Sequence, residues 1–532
     1  MTRPFPSLLI AGCLLGLAAC ANTPRQSPSP EQQLAAALAR ASAASAGNLQ
    51  NPDERETYNQ AVAKVVAAWQ QFRQAGVSRR DVATGSGPDA WRMRADWSRE
   101  LLFDELIEVR ARADRRLHRT VEREGVGMPF VARWHNTPER KKRHPFMADT
   151  GYLATVTVTV DFPAGGTGPR RALLRIQDPL KVETVPVRGG TFPLAADHSA
   201  VSEYILEQNA SEGKKLGMPR LGALRDSGKY MDKLGLLTLE PPARDRTPVI
   251  FVHGLMSHPL TWQNAFNELG ADPLIRKHYQ MYFFRYPSGV PVIYSSTKLR
   301  EHLQLLHREL ERIGNTRRAD RMVLVGHSMG GLVSKMQIVN KGDQVWLELF
   351  GGEVAESSLP EDTKRWIQEQ IDFKANENVD RVIFISTPHR GSELADGFLG
   401  FIAGLLVKVP SQVLFSPMRM LRQSAPAGGL LHDLAEKGIP TSVENLSPES
   451  IFIRESVKLP FKPDLQVHSI IGNKSGRPLT DPKCSDGVVP YWSAHLDEAD
   501  SELVVRAGHD AHETEQAIAE IRRILLLHLR GS

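Results

Sequence analysis

One stretch of eleven residues, Arg321-Met-Val-Leu-Val-Gly-His-Ser-Met-Gly-Gly331, limits what this chain can fold into more than any bulk property does. Met322 to Val325 is a short apolar run that reads as a fully buried strand. Gly326-His-Ser-Met-Gly330 follows without a break, and Gly331 to Val339 continues with helical periodicity. A strand that passes into a helix through so tight a turn holds Ser328 in a strained conformation. Glycine at 326 and 330 lets strand and helix close around it. Ser328 Oγ then stands at the carboxyl end of the sheet, and the next amide, Met329 N–H, points into the same space. A five-residue pattern recurs by chance, but a strand before it and a helix after it make it specific.

The chain around this turn alternates strand and helix. Val249 to Val252 reads as a buried strand and runs straight into His253-Gly-Leu255. Met281 to Phe284 reads as another, followed by Arg285-Tyr-Pro-Ser-Gly289, and Lys298 to Ile313 as a helix with leucines at 299, 303, 306 and 310 on one face. Past the serine turn, Arg381 to Ile385 leads into Ser386-Thr-Pro-His-Arg-Gly-Ser392, where His389 reads as a packing or pocket residue. Val467 to Ile471 precedes Ser485-Asp-Gly-Val-Val-Pro490, and Leu503 to Val505 precedes Gly508-His-Asp-Ala-His512 and a terminal helix over 518–527. Such alternation predicts an α/β fold with a doubly wound, mainly parallel sheet. An acid and a base both follow the serine in sequence. Asp486 is the candidate acid, with Asp481 a weaker competitor. His509 and His512, in the loop after the last strand, are the candidate bases. The two histidines and Glu513 also resemble metal donors, yet no further ligand cluster accompanies them, so no metal is expected.

Five motifs in this order, HGL at 253–255, GHSMGG at 326–331, STPHRGS at 386–392, SDGVVP at 485–490 and GH at 508–509, resemble those of a lipase-type serine esterase of the α/β-hydrolase superfamily. The resemblance covers residues 246–530. It implies a Ser328–Asp486–His509 triad, with His512 as the alternative base, and an oxyanion hole made by the Leu255 and Met329 amides. It implies hydrolysis of carboxylic esters, lipid or acyl esters among them, through an acyl-enzyme and without a cofactor. Acyl transfer and thioester hydrolysis use the same residues on the same fold and remain open, as does a non-catalytic outer-membrane scaffold. Residues 395–460 break the alternation; such an insertion forms a lid in lipases, though a buried core helix fits the apolar run 398–407 as well.

The other half of the 532 residues carries no catalytic constellation. Arg3 and the apolar segment Leu8 to Leu17 precede Leu17-Ala-Ala-Cys20, which resembles the bacterial lipoprotein signal or lipobox; an ordinary cleaved signal is the alternative. That resemblance implies removal of residues 1–19, lipidation of Cys20 with palmitate an expected acyl group, and membrane attachment in the cell envelope. Ala21, where an aspartate would favour inner-membrane retention, points to the outer membrane. Residues 20–30 form a flexible tether rich in Pro and Ser. Cys484 is then the one cysteine left besides the lipidated Cys20, and it reads as a small packed side chain. An accessory region, 31–245, reads as helical to about Arg123, including an amphipathic helix over 94–119, and as β-rich after Thr150. The basic run 140–144 reads as a solvated loop. A net charge of +5 and pI near 9.0 are too mild for a nucleic-acid footprint, and the sequence leaves protein partners open.

Overall fold

In the computed structural model, which describes residues 27–74, 80–108, 117–163, 168–211, 227–340, 361, 374–392 and 444–531, the serine turn lies at the heart of a seven-stranded sheet. The strands of the N-terminal half are β1 Asp81–Ala83, β2 Trp91–Trp97, β3 Glu105–Ile107, β4 Glu122–Arg123, β5 Met128–Trp134, β6 Tyr152–Asp161, β7 Arg170–Gln177, β8 Thr184–Val187, β9 Gly190–Pro193 and β10 Ala196–Asp197. Those of the C-terminal half are β11 Gly235–Leu237, β12 Thr247–Val252, β13 Tyr279–Arg285, β14 Met322–His327, β15 Val379–Ile385, β16 Gln466–Gly472 and β17 Ser501–Val505.

The second group forms one sheet in the order β11-β13-β12-β14-β15-β16-β17, parallel throughout except for β11 at one edge. Side chains alternate between its faces. Ile250, Val252 and Leu324 join one core with Leu299, Leu303, Leu306 and Leu310 of the helix Val292–Arg312. Val249, Phe251 and Val323 join the other with Ile518, Ile521 and Ile524 of the terminal helix Glu515–Arg530. Each fully buried Leu or Ile contributes roughly 1.5–3 kcal/mol, and both faces are covered. That explains why these strands read as continuous apolar runs. The doubly wound α/β sheet expected from the alternation is therefore present.

The accessory half holds a six-stranded sheet in the order β1-β2-β7-β6-β5-β3. The helices Pro30–Ala44 and Pro52–Gln74 bury Leu34, Leu38, Val62, Val66 and Trp69 in a core shared with Val156, Val158 and Val160 of β6. Ser29 and Gln32 make a reciprocal capping box at the start of the first helix, which begins within the expected tether. Two expectations are corrected here. In the stretch expected to be helical to about Arg123, residues 81–83, 91–97, 105–107 and 122–123 are strands β1 to β4, so the amphipathic helix expected over 94–119 gives way to β2 and β3. In β2, Trp91, Met93 and Ala95 face the core while Arg92, Arg94 and Asp96 face out, a period of two. The basic run is a short helix, Pro138–Arg143, capped by Thr137. Its Arg140 pairs with Asp104 and lies over the Trp134 ring, 4.4 Å from its centre. Residues 1–26, with the signal segment and Cys20, and 393–443 of the lid-like insertion lie outside the described residues. No helix among the described residues is long and apolar enough to cross a membrane.

Candidate active site

Ser328 follows β14 directly and caps the helix Met329–Lys335, with φ 53° and ψ −126°. A non-glycine residue in that region costs roughly 1–3 kcal/mol and persists only where its surroundings enforce it. They do. A Cβ added at Gly330 would fall 2.3 Å from the Val252 carbonyl oxygen, so helix and neighbouring strand touch through bare backbone. The Ser328 amide donates to the Ile385 carbonyl of β15 (2.9 Å), and the Gly331 amide donates back to the Ser328 carbonyl (2.9 Å).

His509 lies three residues beyond the Ser501–Val505 strand's next-door loop residue Arg506, in the loop before the terminal helix. Its Nδ1 is 2.8 Å from Asp486 Oδ2 and its Nε2 is 2.8 Å from Ser328 Oγ. A carboxylate only accepts, so Nδ1 carries the proton and Nε2 presents a lone pair to the serine hydroxyl. Asp486 is 2% exposed, and its other oxygen accepts from the Val488 (2.8 Å) and Val489 (2.7 Å) amides. Burial would raise its pKa, but His509 and the two amides outweigh that and hold it below the ordinary carboxylate range.

Leu255 and Met329 flank the serine. A Cβ on Gly254 would stand 3.0 Å from Ser328 Cβ, which brings the Gly254–Leu255 backbone against the serine. Neither the Leu255 nor the Met329 amide has a hydrogen-bond acceptor among the described residues. The turn that carries Leu255 is held from outside, because the Met256 amide, at φ 54°, donates to Ser288 Oγ (3.0 Å). His253 is buried and stacked on Tyr286 (4.4 Å), whose hydroxyl donates to the His253 carbonyl (2.6 Å). Burial lowers its pKa to about 3, so it remains neutral and braces this turn.

The competitors lie elsewhere. His512 Nε2 is 2.6 Å from Thr261 Oγ1, and Asp481 pairs with Arg477 (2.9 Å) on the surface. His389 is buried edge-to-face against Phe384, neither ring nitrogen has a partner among the described residues, and burial holds its pKa well below the usual imidazole range. Cys484 is buried, as expected of a packed thiol. Among the described residues, no cluster of three or more His, Cys, Asp or Glu could hold a metal ion. Sequence reasoning missed the groups that brace the site: Ser288, Tyr286, Thr261 and the ring of His327. Ser288 and Tyr286 lie in the stretch 285–289 after β13, but nothing local in that stretch says which backbone groups they will meet.

The family model described as "Alpha/beta hydrolase family" matches residues 249–522, just over half the chain. The chain belongs to that family. No curated protein matches it. Among solved structures it is similar to the mature lipase BlEst2 of Bacillus licheniformis, with 18% identity, 55% of this chain and 97% of that one covered, and a TM-score of 0.32. It is also similar to EstA of Clostridium botulinum (14% identity, 58% and 93% covered, TM-score 0.29). A third is a lipase-esterase related protein of Clostridium acetobutylicum (15%, 55% and 98%, 0.26).

Proposed function

We propose that this protein is a serine hydrolase that cleaves carboxylic esters, lipid or acyl esters among them, with Ser328 as nucleophile, His509 as base and Asp486 as acid. The observation that carries this is the unbroken relay Asp486–His509–Ser328, with 2.8 Å at each junction. His509 Nε2 takes the hydroxyl proton as Ser328 Oγ attacks the ester carbonyl. The tetrahedral oxyanion accepts from the Leu255 and Met329 amides, which have no competing acceptor among the described residues. His509 then gives its proton to the departing alkoxide. A water molecule repeats the sequence on the acyl-enzyme and releases the acid.

The experiment is hydrolysis of p-nitrophenyl esters of graded chain length by the form lacking residues 1–20. Ser328→Ala and His509→Ala should each lose at least roughly 1,000-fold in kcat, whereas His512→Ala should keep most of it. A wild type inactive on every ester and not labelled by a fluorophosphonate would remove the proposal and favour the scaffold alternative. Attachment to the outer membrane through a lipidated Cys20 is proposed alongside, on the segment 8–20. Incorporation of labelled palmitate into the full chain, absent from Cys20→Ser, tests it; equal labelling of both sinks it.

A further inference from the structure

The histidine beside the nucleophile has a surrounding that the hydrolytic mechanism above does not use. His327 is 6% exposed and its Nε2 lies 2.7 Å from the backbone carbonyl oxygen of His509. A carbonyl only accepts, so Nε2 carries the proton and donates. The His327 ring lies flat on His512, with centres 3.8 Å apart and planes 23° apart. His512 Nε2 in turn meets Thr261 Oγ1 at 2.6 Å, and that hydroxyl donates to Glu513 Oε1 at 3.1 Å. Thr261 belongs to the 3-10 turn Pro259–Trp262, a few residues beyond the Leu255 amide. Its neighbour Trp262 packs edge-on to both imidazoles, 6.5 Å from His327 and 5.0 Å from His512. On its other side, His327 Nδ1 would stand 3.1 Å from a Cβ at Gly254. One ring therefore touches the serine turn, the base-bearing loop and the loop of the Leu255 amide.

We infer that His327 is a positioning residue: its Nε2–H, held in place by the stack on His512, fixes the His509 carbonyl and so sets the reach of His509 Nε2 to Ser328 Oγ. This deepens the serine-hydrolase proposal and rests on it. The physical need is plain. Residues 506–514 have no strand or long helix of their own, and a misplacement near 1 Å at a reacting pair can cost about 100-fold in rate. His327 is joined covalently to Ser328, so a bond from its ring to the backbone of His509 ties base to nucleophile by the shortest available path. Burial also lowers the His327 pKa to about 3, so the ring stays neutral and adds no charge beside an imidazole that must become positive. A hydroxyl or aliphatic side chain at 327 could not span the same gap.

The test reads the second-order rate of fluorophosphonate labelling of Ser328, which needs no knowledge of the natural ester, together with kcat and KM on a p-nitrophenyl ester. His327→Phe keeps a flat ring against His512 and loses the donor; His327→Gln keeps an N–H at a comparable distance. His327→Phe should label roughly 100-fold more slowly, the extent a small displacement costs, and lose kcat with KM little changed. Acyl-enzyme formation and breakdown should slow by the same factor, because His509 acts in both. His327→Gln should recover at least about a tenth of the wild-type rate. Melting temperatures report whether either variant is simply unfolded. Labelling of a folded His327→Phe at the wild-type rate overturns the inference, and so do equal losses in folded Phe and Gln variants, since the donor would then not matter. If the wild type itself is not labelled, the serine-hydrolase proposal falls and takes this inference with it.

Discussion

Asp486 accepts three hydrogen bonds, from the Val488 and Val489 amides and from His509 Nδ1. Burial opposes its charge, but these contacts prevail and its folded pKa lies below the ordinary value. The stability it contributes is thus present above the unfolded-state pKa and is lost as pH falls through the folded one. Asp486→Asn separates charge from shape. The amide NH2 would donate to His509 Nδ1, favour the tautomer with its proton on Nε2, and leave no lone pair for the Ser328 hydroxyl. We expect kcat to fall about 10³–10⁴-fold with KM little altered, measured on the same p-nitrophenyl esters; an unchanged kcat would move the acid elsewhere. At this scale the sequence was legible where the residues that come together sit in short local patterns, as at 326–330, 485–490 and 508–509. It was silent where a side chain meets something distant in sequence. Thr261 and His512 are 251 positions apart and come together only through the sheet.

Among elements, the hydrolase strands were readable because burial on two faces makes them short apolar blocks between turns. The segment 91–107 was not, because Arg and Glu at frequent intervals imitate a charged helix face. What decides it is pairing of β2 with β7 across some 80 residues, in register from Trp91 with Arg170 to Trp97 with Ile176, which local spacing cannot reveal. The connection between β11 and β12 poses a different problem, since it holds a partly buried carboxylate. Glu240 pairs with Arg246 (2.7 Å) and with Arg276 of the helix Pro273–His278. Burial alone would raise its pKa, but the two guanidinium groups outweigh it and bring the value to about 2. Its folded pKa is depressed, so its contribution is whole above about 4.3, the unfolded glutamate value, and drains away as pH falls toward about 2. Glu240→Gln leaves two partly buried arginines without a counter-charge. Urea unfolding at neutral pH should show a loss of about 3 kcal/mol, and the gap to wild type should narrow on moving to about pH 3. A gap that does not change with pH would mean that the charge is not what the site uses.

For the whole molecule, the question is whether the accessory half is a passenger or part of the hydrolase fold. Its backbone is joined to the residues that follow β11. The Thr238 amide donates to the Phe146 carbonyl (2.8 Å), the Ala148 amide to the Thr238 carbonyl (3.2 Å) and the Leu153 amide of β6 to the Leu239 carbonyl (2.8 Å). Asp149 pairs with Arg285 at 2.6 Å, and Asn267 Nδ2 donates to the Arg119 carbonyl at 2.9 Å. The Phe146 ring, 1% exposed, belongs to the same core as Ile250, Tyr282 and Phe284 and stands edge-on to Tyr282 at 6.2 Å. A residue of the accessory half thus fills the core of the catalytic sheet, so neither half can open there without exposing the other. Phe146→Ala should cost about 3–5 kcal/mol, the range for a large aromatic removed from a packed core. That loss should appear equally in two signals. One is tryptophan fluorescence, which reports both halves, with Trp69, Trp91, Trp97 and Trp134 in the accessory half and the other four of the eight in the hydrolase half; the other is fluorophosphonate reactivity at Ser328. Coincident denaturation midpoints, both lowered in the variant, are the expected result, because one cooperative unit gives one transition whatever the probe. If reactivity at Ser328 instead persists through the fluorescence transition, or only one midpoint moves, the hydrolase sheet stands alone and the Phe146 contact is a surface dock between two independent units.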